Sequence, residues 1–369
     1  MDKAELAVVA RLEGDRKRFI ALSKEALALE IQAADLLRSQ LDVEPTRSIL
    51  FRSAASIALD CDEYRTAERL LAEALAGFPP DGIAEELREL LDRVHFSRHL
   101  DLRGVQLAED EFQMSMTGNS IGPGIADSDE FVTRVKATET IIYRTAERQL
   151  HKPFREHGRR RESLKNEVEL FISVPRAASF AVSFKVGHSK QIKLPTMNFG
   201  EALIDEVLAC LDLIANDQQQ KLQKRIPEAP YYRNFVALAN EISPDGHAIN
   251  MVGFTAQRGK TQTRIVLTGQ STTRSGAADS VGDGSPTGDQ KIHEFRGRLK
   301  YADERHLATQ RVQLIGQDGT ATTIHVPSGM MADIVTPYWG RDVTVLARHE
   351  RKRFVLESIH GRKRIKRRS

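Results

Sequence analysis

Residues 269 to 290, GQSTTRSGAADSVGDGSPTGDQ, constrain the fold of this chain more than any other segment. The stretch contains no aromatic residue and almost no aliphatic one. A segment of this composition cannot bury enough apolar surface to offset the entropy that is lost when a chain becomes ordered. It therefore predicts a flexible linker, and the hydrophobic cores are expected to form from the residues on either side of it.

Length and composition describe an ordinary soluble chain. The 369 residues are enough for two or three domains, and 40% of them are hydrophobic while 28% are charged. The sequence has neither a secretory signal nor an apolar run of the ~18 residues that cross a bilayer, so we expect no membrane partner. The two cysteines, Cys61 and Cys210, lie in helical apolar patterns and predict buried thiols in a reducing cytoplasm.

Residues 1 to 98 predict an all-helical domain. They are rich in Ala and Leu, and their apolar residues recur at helical spacing, as in FIALSKEALALEIQAADLLRSQL. Strand signals are lacking. The expected helices lie near residues 2–12, 15–40, 47–59, 63–77 and 81–95.

Part of this domain has the spacing of a helical hairpin. In FRSAASIALDCDEYRTAERLLAEALAGFP, a small Ala55 is followed by large and small residues at fixed offsets, namely Tyr64, Ala67, Leu71, Ala74 and finally Pro79. The pattern resembles one tetratricopeptide repeat over about residues 48 to 81, with Ala55 replacing the usual glycine. That resemblance implies a protein-binding surface, and an ordinary helical bundle without a partner is the alternative.

Residues 99 to 268 change to a mixed pattern that predicts an α+β domain. A loop, GNSIGPG, precedes a helix that Asp127 is expected to cap and that ends near residue 150. Strands are expected at EVELFIS, SFAVSFKVG, INMVGF and TQTRIVLT, and helices at 199–222 and 231–242. This domain resembles functionally unassigned bacterial proteins, a resemblance that implies no activity.

The stretch GFTAQRGKTQTR contains Gly-Lys-Thr, the end of a phosphate-binding loop, but it does not fit that motif. Gly253 and Gly259 are separated by five residues where the motif needs four, and TQTRIVLT has the alternation of a strand and not of a helix. We therefore predict a β-hairpin with Arg258-Gly259 near its turn. Arg258 and Lys260 are then expected at the tip, where they would extend a basic surface.

Residues 291 to 360 predict a small β-barrel. Three strands are expected at IHEFRGRLKYA, QRVQLIG and TATTIHVP, and a helix is expected around MMADIVTPYW. Two further strands, RDVTVLA and RFVLESI, complete a β-β-β-α-β-β order. That order resembles the oligonucleotide/oligosaccharide-binding fold, and an SH3-like barrel is the alternative. The chain as a whole is thus expected to be multidomain α+β, with helical, mixed and β-barrel parts.

Charge is distributed unevenly along the chain. Residues 1 to 98 hold 14 Lys and Arg against 19 Asp and Glu, whereas residues 348 to 369 hold 10 against 2, which leaves those residues with a net charge of +8. The basic residues lie in the expected loop RHERKR at 348–353 and in a basic tail over 361–369.

In the barrel that the resemblance implies, such a loop rims the nucleic-acid face, and aromatic side chains stack on bases. Tyr301, His306, Phe354 and Trp339 are the candidate stacking groups. The residues that we predict to bind nucleic acid are Arg348, Arg351, Lys352, Arg353, Arg362, Lys363, Arg364, Lys366, Arg367, Arg368, Tyr301 and Phe354.

The sequence shows no convincing catalytic or metal site. His95 and His99 have a two-histidine spacing but no third ligand, and we predict no metal or cofactor. Four acids in the middle domain could serve a metal-dependent nuclease or other hydrolase, and each also fits a solvated strand or helix: Glu167, Glu169, Asp205 and Glu206.

These patterns favour a cytoplasmic, non-enzymatic adaptor. Its helical domain would bind a protein, and its barrel would bind nucleic acid mainly through backbone phosphates and with little sequence preference. Two alternatives stay open. One is a hydrolase in the middle domain, and the other is a regulatory or structural part of a bacterial defence or toxin-antitoxin assembly.

Overall fold

The computed structural model describes residues 3–100, 107–122, 125–156, 169–172, 180–187, 199–259, 261–268, 292–303, 310–316, 318–350 and 353–361. It divides the chain into two compact units, Met1–Gln106 and Leu107–Ser369. Helices form the first unit, and the second combines a mixed α/β part with a closed five-stranded barrel, so the predicted class is confirmed at this level. The predicted linker at 269–290 and the tail residues 362–369 lie outside the described residues.

The first unit consists of helices that follow the predicted pattern to within a few residues. Each helix packs against the next one along the chain. Their bounds are α1 (Lys3–Glu13), α2 (Arg16–Leu36), α3 (Thr46–Asp60), α4 (Tyr64–Leu75) and α5 (Asp81–His99).

The hairpin of α3 and α4 has the small-residue contact that the sequence predicts. Ala55, Ala67 and Ala74 are fully buried, which lets the two helices approach closely. Arg47 is also buried. Its guanidinium lies 5.0 Å from the ring centre of Phe51 and donates to the backbone oxygen of Glu73 at 2.8 Å, so it joins the start of α3 to the last turn of α4. Membership of the tetratricopeptide repeat family stays a prediction.

The second unit begins with an antiparallel five-stranded sheet in the order β4-β5-β1-β6-β7. Its strands are β1 (Glu111–Thr117), β4 (Glu169–Ile172), β5 (Phe180–Gly187), β6 (Met251–Arg258) and β7 (Thr261–Thr268). Two short strands, β2 (Ile121–Gly122) and β3 (Ile125–Ala126), pair with each other beside it. The β6–β7 hairpin that we predicted in place of a phosphate loop is confirmed, with Arg258 opposite Thr261.

The central strand, β1, is absent from the sequence prediction. It pairs with β5 on one side and β6 on the other, and five consecutive residues of it are buried. Its sequence, EFQMSMT, contains Met and Ser where strands usually have β-branched residues, so the propensity signal is weak. The packing of both its faces, and not local propensity, makes it a strand.

Helices cover the apolar face of this sheet. They are α6 (Ser128–Gln149), α7 (Phe199–Ala215), α8 (Gln219–Arg225) and α9 (Ala229–Ile242). Asp127 caps α6 as expected, accepting from the backbone N–H groups of Asp129 and Glu130 at 3.1 and 3.2 Å. The single helix that we expected at 199–222 is two helices, because Asp217 adopts a φ of 54° between them.

Phenylalanine rings form the centre of this core. Phe112 on β1 and Phe184 on β5 stack with ring centres 5.2 Å apart, and Phe254 on β6 lies 6.1 Å from Phe112. All three side chains are fully buried. Cross-strand aromatic pairs of this kind stabilise a sheet and help to fix its register.

The C-terminal part of the unit is a closed barrel of β8 (Ile292–Asp303), β9 (Arg311–Ile315), β10 (Ala321–His325), β11 (Asp342–Glu350) and β12 (Arg353–Gly361). β8, β9 and β10 pair antiparallel in sequence order, β10 pairs parallel with β12, and β11 lies between β12 and β8. This closed barrel is compatible with an oligonucleotide-binding-like fold.

The helix that we predicted between the third and fourth barrel strands is irregular. It consists of a π-turn, Met331–Val335, and a 3-10 turn, Thr336–Tyr338, which together we name the helical plug. Pro337 has no backbone N–H and does not allow a regular helix to continue. Met331, Ile334 and Val335 are buried in the shared core, so packing holds the irregular backbone in place.

Polar contacts fix the plug on the helices of the mixed part. Arg144 on α6 pairs with Asp333 in the plug at 2.7 Å and with Glu147 at 2.8 Å, and its guanidinium lies 4.3 Å from the ring centre of Phe154. Asn234 on α9, which is fully buried, donates to the same Asp333 carboxylate at 3.0 Å. We name Arg144, Asn234 and Asp333 the latch.

Backbone contacts extend the latch. Asn234 also donates to the Gly329 oxygen at 2.8 Å, and the Gly329 N–H donates to Glu156 at 3.0 Å. Gly329 has a φ of 97°, and a Cβ there would lie 2.3 Å from the backbone oxygen of Pro230. Only glycine fits both the dihedral angle and this close approach.

The two cysteines are buried and free, as the sequence predicts. Burial raises the pKa of the Cys61 thiol to about 11 and that of the Cys210 thiol to about 12, so both stay protonated at neutral pH. Among the helices that the structure describes, we find none with the length and apolar character that spanning a membrane requires.

The phenylalanine core supplies a first prediction. Replacing buried Phe112 by Ala removes a stacked ring and leaves a cavity, so we expect the free energy of unfolding of the second unit to fall by about 3–5 kcal/mol. The matched control is Phe171→Ala on β4 of the same sheet, where the side chain is 51% exposed. Urea denaturation followed by circular dichroism measures both, and equal losses would contradict the assigned core.

The latch supplies a second prediction. Asp333→Ala removes a carboxylate from the buried Arg144 and an acceptor from Asn234, so we expect the free energy of unfolding to fall by about 3 kcal/mol. Asp342→Ala, at an exposed position of β11, is the matched control and should change stability little. Denaturation curves of both variants provide the measurement; if Asp333→Ala is as stable as Asp342→Ala, the latch does not hold the barrel.

Candidate nucleic-acid interface

Three basic side chains lie together on the outer surface of the barrel. Arg311 starts β9 and pairs in register with His325 at the end of β10. The neighbours Val312, Ile324 and Val326 are buried, so alternation along the strands directs Arg311 and His325 outward.

Arg353 begins β12, which runs parallel to β10 and pairs with it from the next residue onward. Its positive charge lowers the pKa of His325, as does the charge of Arg311. We name Arg311, His325 and Arg353 the basic row.

His325 is the titratable member of this row. Its partial burial lowers the pKa of the imidazole below the usual value, and the positive charges of Arg353 and Arg311 lower it further. The side chain is therefore mostly neutral at pH 7. An anion placed beside the row would favour the protonated form and raise that pKa.

Four rings lie together at one end of the barrel. His293 and Phe295 lie on β8, His349 near the end of β11, and Phe354 near the start of β12. The Phe354 ring centre is 4.7 Å from Phe295, 5.1 Å from His349 and 5.4 Å from His293. His349 is exposed and the other three side chains are half-buried. We name these four residues the aromatic mouth.

The aromatic mouth and the helical plug lie at opposite ends of the barrel. β11 starts at Asp342, directly after the plug, and His349 lies seven residues further on, a distance of about 23 Å along the strand. The latch therefore holds the plug end of the barrel on the helices and leaves the mouth at the other end.

The predicted loop at 348–353 is shorter than expected. β11 continues to Glu350 and β12 begins at Arg353, so only Arg351 and Lys352 connect them, and both lie outside the described residues. Arg348 belongs to the strand. Its side chain is only 9% exposed and pairs with Glu350 at 3.2 Å and Glu357 at 3.1 Å, so its charge is largely neutralised.

The predicted loop and the basic tail start from different ends of the barrel. β12 begins at Arg353 and ends at Gly361, about 26 Å away at 3.3 Å per residue. The tail cations lie outside the described residues: Arg362, Lys363, Arg364, Lys366, Arg367 and Arg368. His306 also lies outside them, as does the side chain of Tyr301 on β8.

The expectation for Arg258 at the hairpin tip is corrected by its contacts. Its guanidinium donates to Asp205 on α7 at 2.7 and 3.0 Å and is only 20% exposed. The charge therefore joins the hairpin to a helix and does not extend a basic surface. Lys260 lies outside the described residues.

The candidate acids of the middle domain are engaged where the structure describes them. Asp205 pairs with Arg258, and Glu206 accepts from Arg225 and Arg148. Burial raises the pKa of Glu206, but the hydrogen bonds and charges of the two arginines outweigh it and hold the pKa below the usual value. Glu167 and the side chain of Glu169 lie outside the described residues.

Metal ligands do not converge in the part of the chain that the structure describes. There, no group of three or more His, Cys, Asp or Glu side chains could hold a metal ion. The Nε2 atom of His95 instead lies 3.7 Å from the carboxylate Oε1 of Glu68 on α4.

Several residues of the candidate interface are absent from the sequence prediction. Arg311, His325, His293 and Phe295 lie in strands that the sequence did predict, whereas His349 lies in the stretch that it predicted as a loop. Alternation within QRVQL and TIHV was a usable signal, because it separates the outward Arg311 and His325 from buried neighbours. The mouth had no such signal, since its rings come from three strands that only barrel closure brings together.

Comparison with known proteins assigns no relative to this chain. No family model, no curated protein and no solved structure matches it. A functional proposal therefore depends on the barrel, the basic row and the aromatic mouth themselves.

Proposed function

We propose that this protein is a non-enzymatic adaptor whose barrel binds nucleic acid, mainly through backbone phosphates. The observation that carries the proposal is the basic row on the outer face of β9, β10 and the start of β12. In oligonucleotide-binding barrels the second and third strands form the binding face, together with the loops that follow the first and fourth strands. The strand order and the parallel pairing of β10 with β12 support assigning this barrel to that fold.

The chemistry of the row favours phosphate over base edges. Arg311 and Arg353 are exposed at strand ends, where a guanidinium can donate two parallel hydrogen bonds to one phosphate. Contacts of this kind position a strand but carry no sequence information. Binding with little sequence preference is therefore expected, and the basic tail would add further phosphate contacts.

Replacing both arginines of the row tests the proposal. In the double variant Arg311→Ala, Arg353→Ala we expect the log-log salt slope for a single strand of about 20 nucleotides to fall by about 1.4. Each lost contact should also weaken binding roughly 5-fold in 0.1 M salt, because the counterion release that it supplies is lost. Fluorescence anisotropy over a salt series measures both quantities.

The matched control removes the same number of positive charges but leaves the row unchanged. Arg296 on β8 and Arg341 before β11 are exposed arginines of the same barrel, so Arg296→Ala, Arg341→Ala removes the same net charge elsewhere. This variant should retain most of the affinity. If both double variants lose affinity equally, net charge and not the row carries binding, and absence of binding by the unaltered chain would refute the proposal.

His325 makes a separate prediction about pH. Because the pKa of the free side chain is lowered, phosphate binding should be coupled to proton uptake, so affinity should rise as pH falls from 7 towards 5. His325→Asn keeps a polar side chain that cannot titrate and should reduce this increase. Anisotropy titrations at several pH values, at constant ionic strength, compare the two proteins, and identical pH profiles would exclude His325 from the interface.

The adaptor part of the proposal depends on apolar side chains that the helical unit exposes. Leu12 on α1 is 71% exposed and Leu36 on α2 is 77% exposed, while Phe78 after α4 is 76% exposed. Side chains of this size lose their contact with water when another protein packs on them, which favours association through the protein-binding surface that the tetratricopeptide-like pattern implies. Affinity capture from cells with the full chain, compared with Leu12→Glu, Leu36→Glu, tests for one stoichiometric partner that the variant loses.

A further inference from the structure

The geometry points to the aromatic mouth as a binding site for one unpaired nucleobase, so that the nucleic acid is single-stranded. This inference rests on the proposed function and adds the class of ligand and the place of the base. It concerns the inward-facing rings at one end of the barrel, on β8, β11 and β12, and not the outward-facing basic row on β9, β10 and the start of β12.

The mouth is a cluster of partly exposed rings. Phe354 lies at its centre, with a tilt of 71° to Phe295, 69° to His293 and 53° to His349. Side chains two residues apart in a strand lie on the same face. His293 and Phe295 therefore lie on the same face of β8 as buried Leu299, and His349 lies on the same face of β11 as buried Ala347. The rings thus lie on the inward side of the barrel, at the start of β8 and β12 and near the end of β11.

A base fits this layer chemically. Its flat apolar face can stack on phenylalanine, and its polar edge can exchange hydrogen bonds with the two imidazoles, each of which offers a donor and an acceptor when neutral. Ile292 begins β8 beside the mouth and is 59% exposed, which adds apolar surface at the rim. Aromatic side chains are sequence-tolerant platforms because every base has such a face.

The mouth lies next to the basic row. Phe354 follows Arg353 directly, and its partner in register on β10 is Ile324, the residue before His325. The row faces outward and the rings face inward, and the two meet at the start of β12. A strand whose phosphates lie on Arg353 and His325 therefore passes the rim of the mouth, where a base can turn inward. In a duplex the bases are paired and stacked inside the helix, so they cannot enter, and preference for single strands follows.

Two variants of the mouth test the inference. Phe354→Leu keeps apolar volume but removes the stacking face, and His349→Ala removes an exposed ring with little expected effect on folding. Loss of one base-stacking contact should weaken single-strand binding about 5- to 150-fold. Duplex affinity and the salt slope should not change, because no phosphate contact is removed. Trp339, a candidate stacking group in the sequence, directly follows the plug and so lies at the other end of β11 from the mouth. Trp339→Leu, at an exposed aromatic residue, is therefore the matched control and should bind like the unaltered chain.

The measurements separate this inference from the proposed function. Anisotropy compares a single strand with its duplex, and a single strand with 2-aminopurine reports base stacking through quenching of its fluorescence. Selective loss of single-strand affinity and of quenching in both mouth variants would support the site. Equal affinity for single strand and duplex, with unaffected mouth variants and a weakened Arg311→Ala, Arg353→Ala variant, would overturn the site and leave the proposed function standing. Absence of all binding by the unaltered chain would overturn both.

Discussion

The buried ion pair between Arg144 on α6 and Asp333 in the helical plug is the contact on which the arrangement of the second unit depends. Removing two charges from water costs several kcal/mol per ion, and only good geometry with further hydrogen bonds offsets that cost. Here the distance is 2.7 Å, and Glu147, Asn234 and the Phe154 ring complete the surroundings of the pair. All of these contacts can form together only when the barrel and the helices are in this one relative position, so the latch favours that position.

The latch also decides which surfaces of the barrel are left for a ligand. The plug and the start of β11 are used in packing, and Tyr338 in the plug donates to Glu241 on α9 at 3.0 Å. The opposite end carries the aromatic mouth, and the basic row lies on the strands next to it. Structural and proposed binding roles therefore fall at different ends of a barrel whose strands are only 5 to 12 residues long.

Ion pairing with carboxylates, and not the number of basic residues in a segment, determines which positive charges are available to bind a ligand. Arg348 and Arg258 both look available in the sequence, yet each lies against carboxylates, Glu350 and Glu357 in the first case and Asp205 in the second. Asp205 is 53 residues away from Arg258 along the chain. An ion pair over such a separation depends on the fold, so counting charges in a segment overstates its basic surface.

The sequence by itself determined the helices of residues 1 to 98, the β6–β7 hairpin and the positions of the five barrel strands, because periodicity and turn residues act over a few neighbouring positions. Tertiary structure alone decided that EFQMSMT is the central strand, that the plug is irregular, and that rings from three strands meet at one mouth. It also decided the latch, whose Arg144 and Asp333 are 189 residues apart. Such contacts depend on how distant segments pack, and local patterns carry no record of that packing.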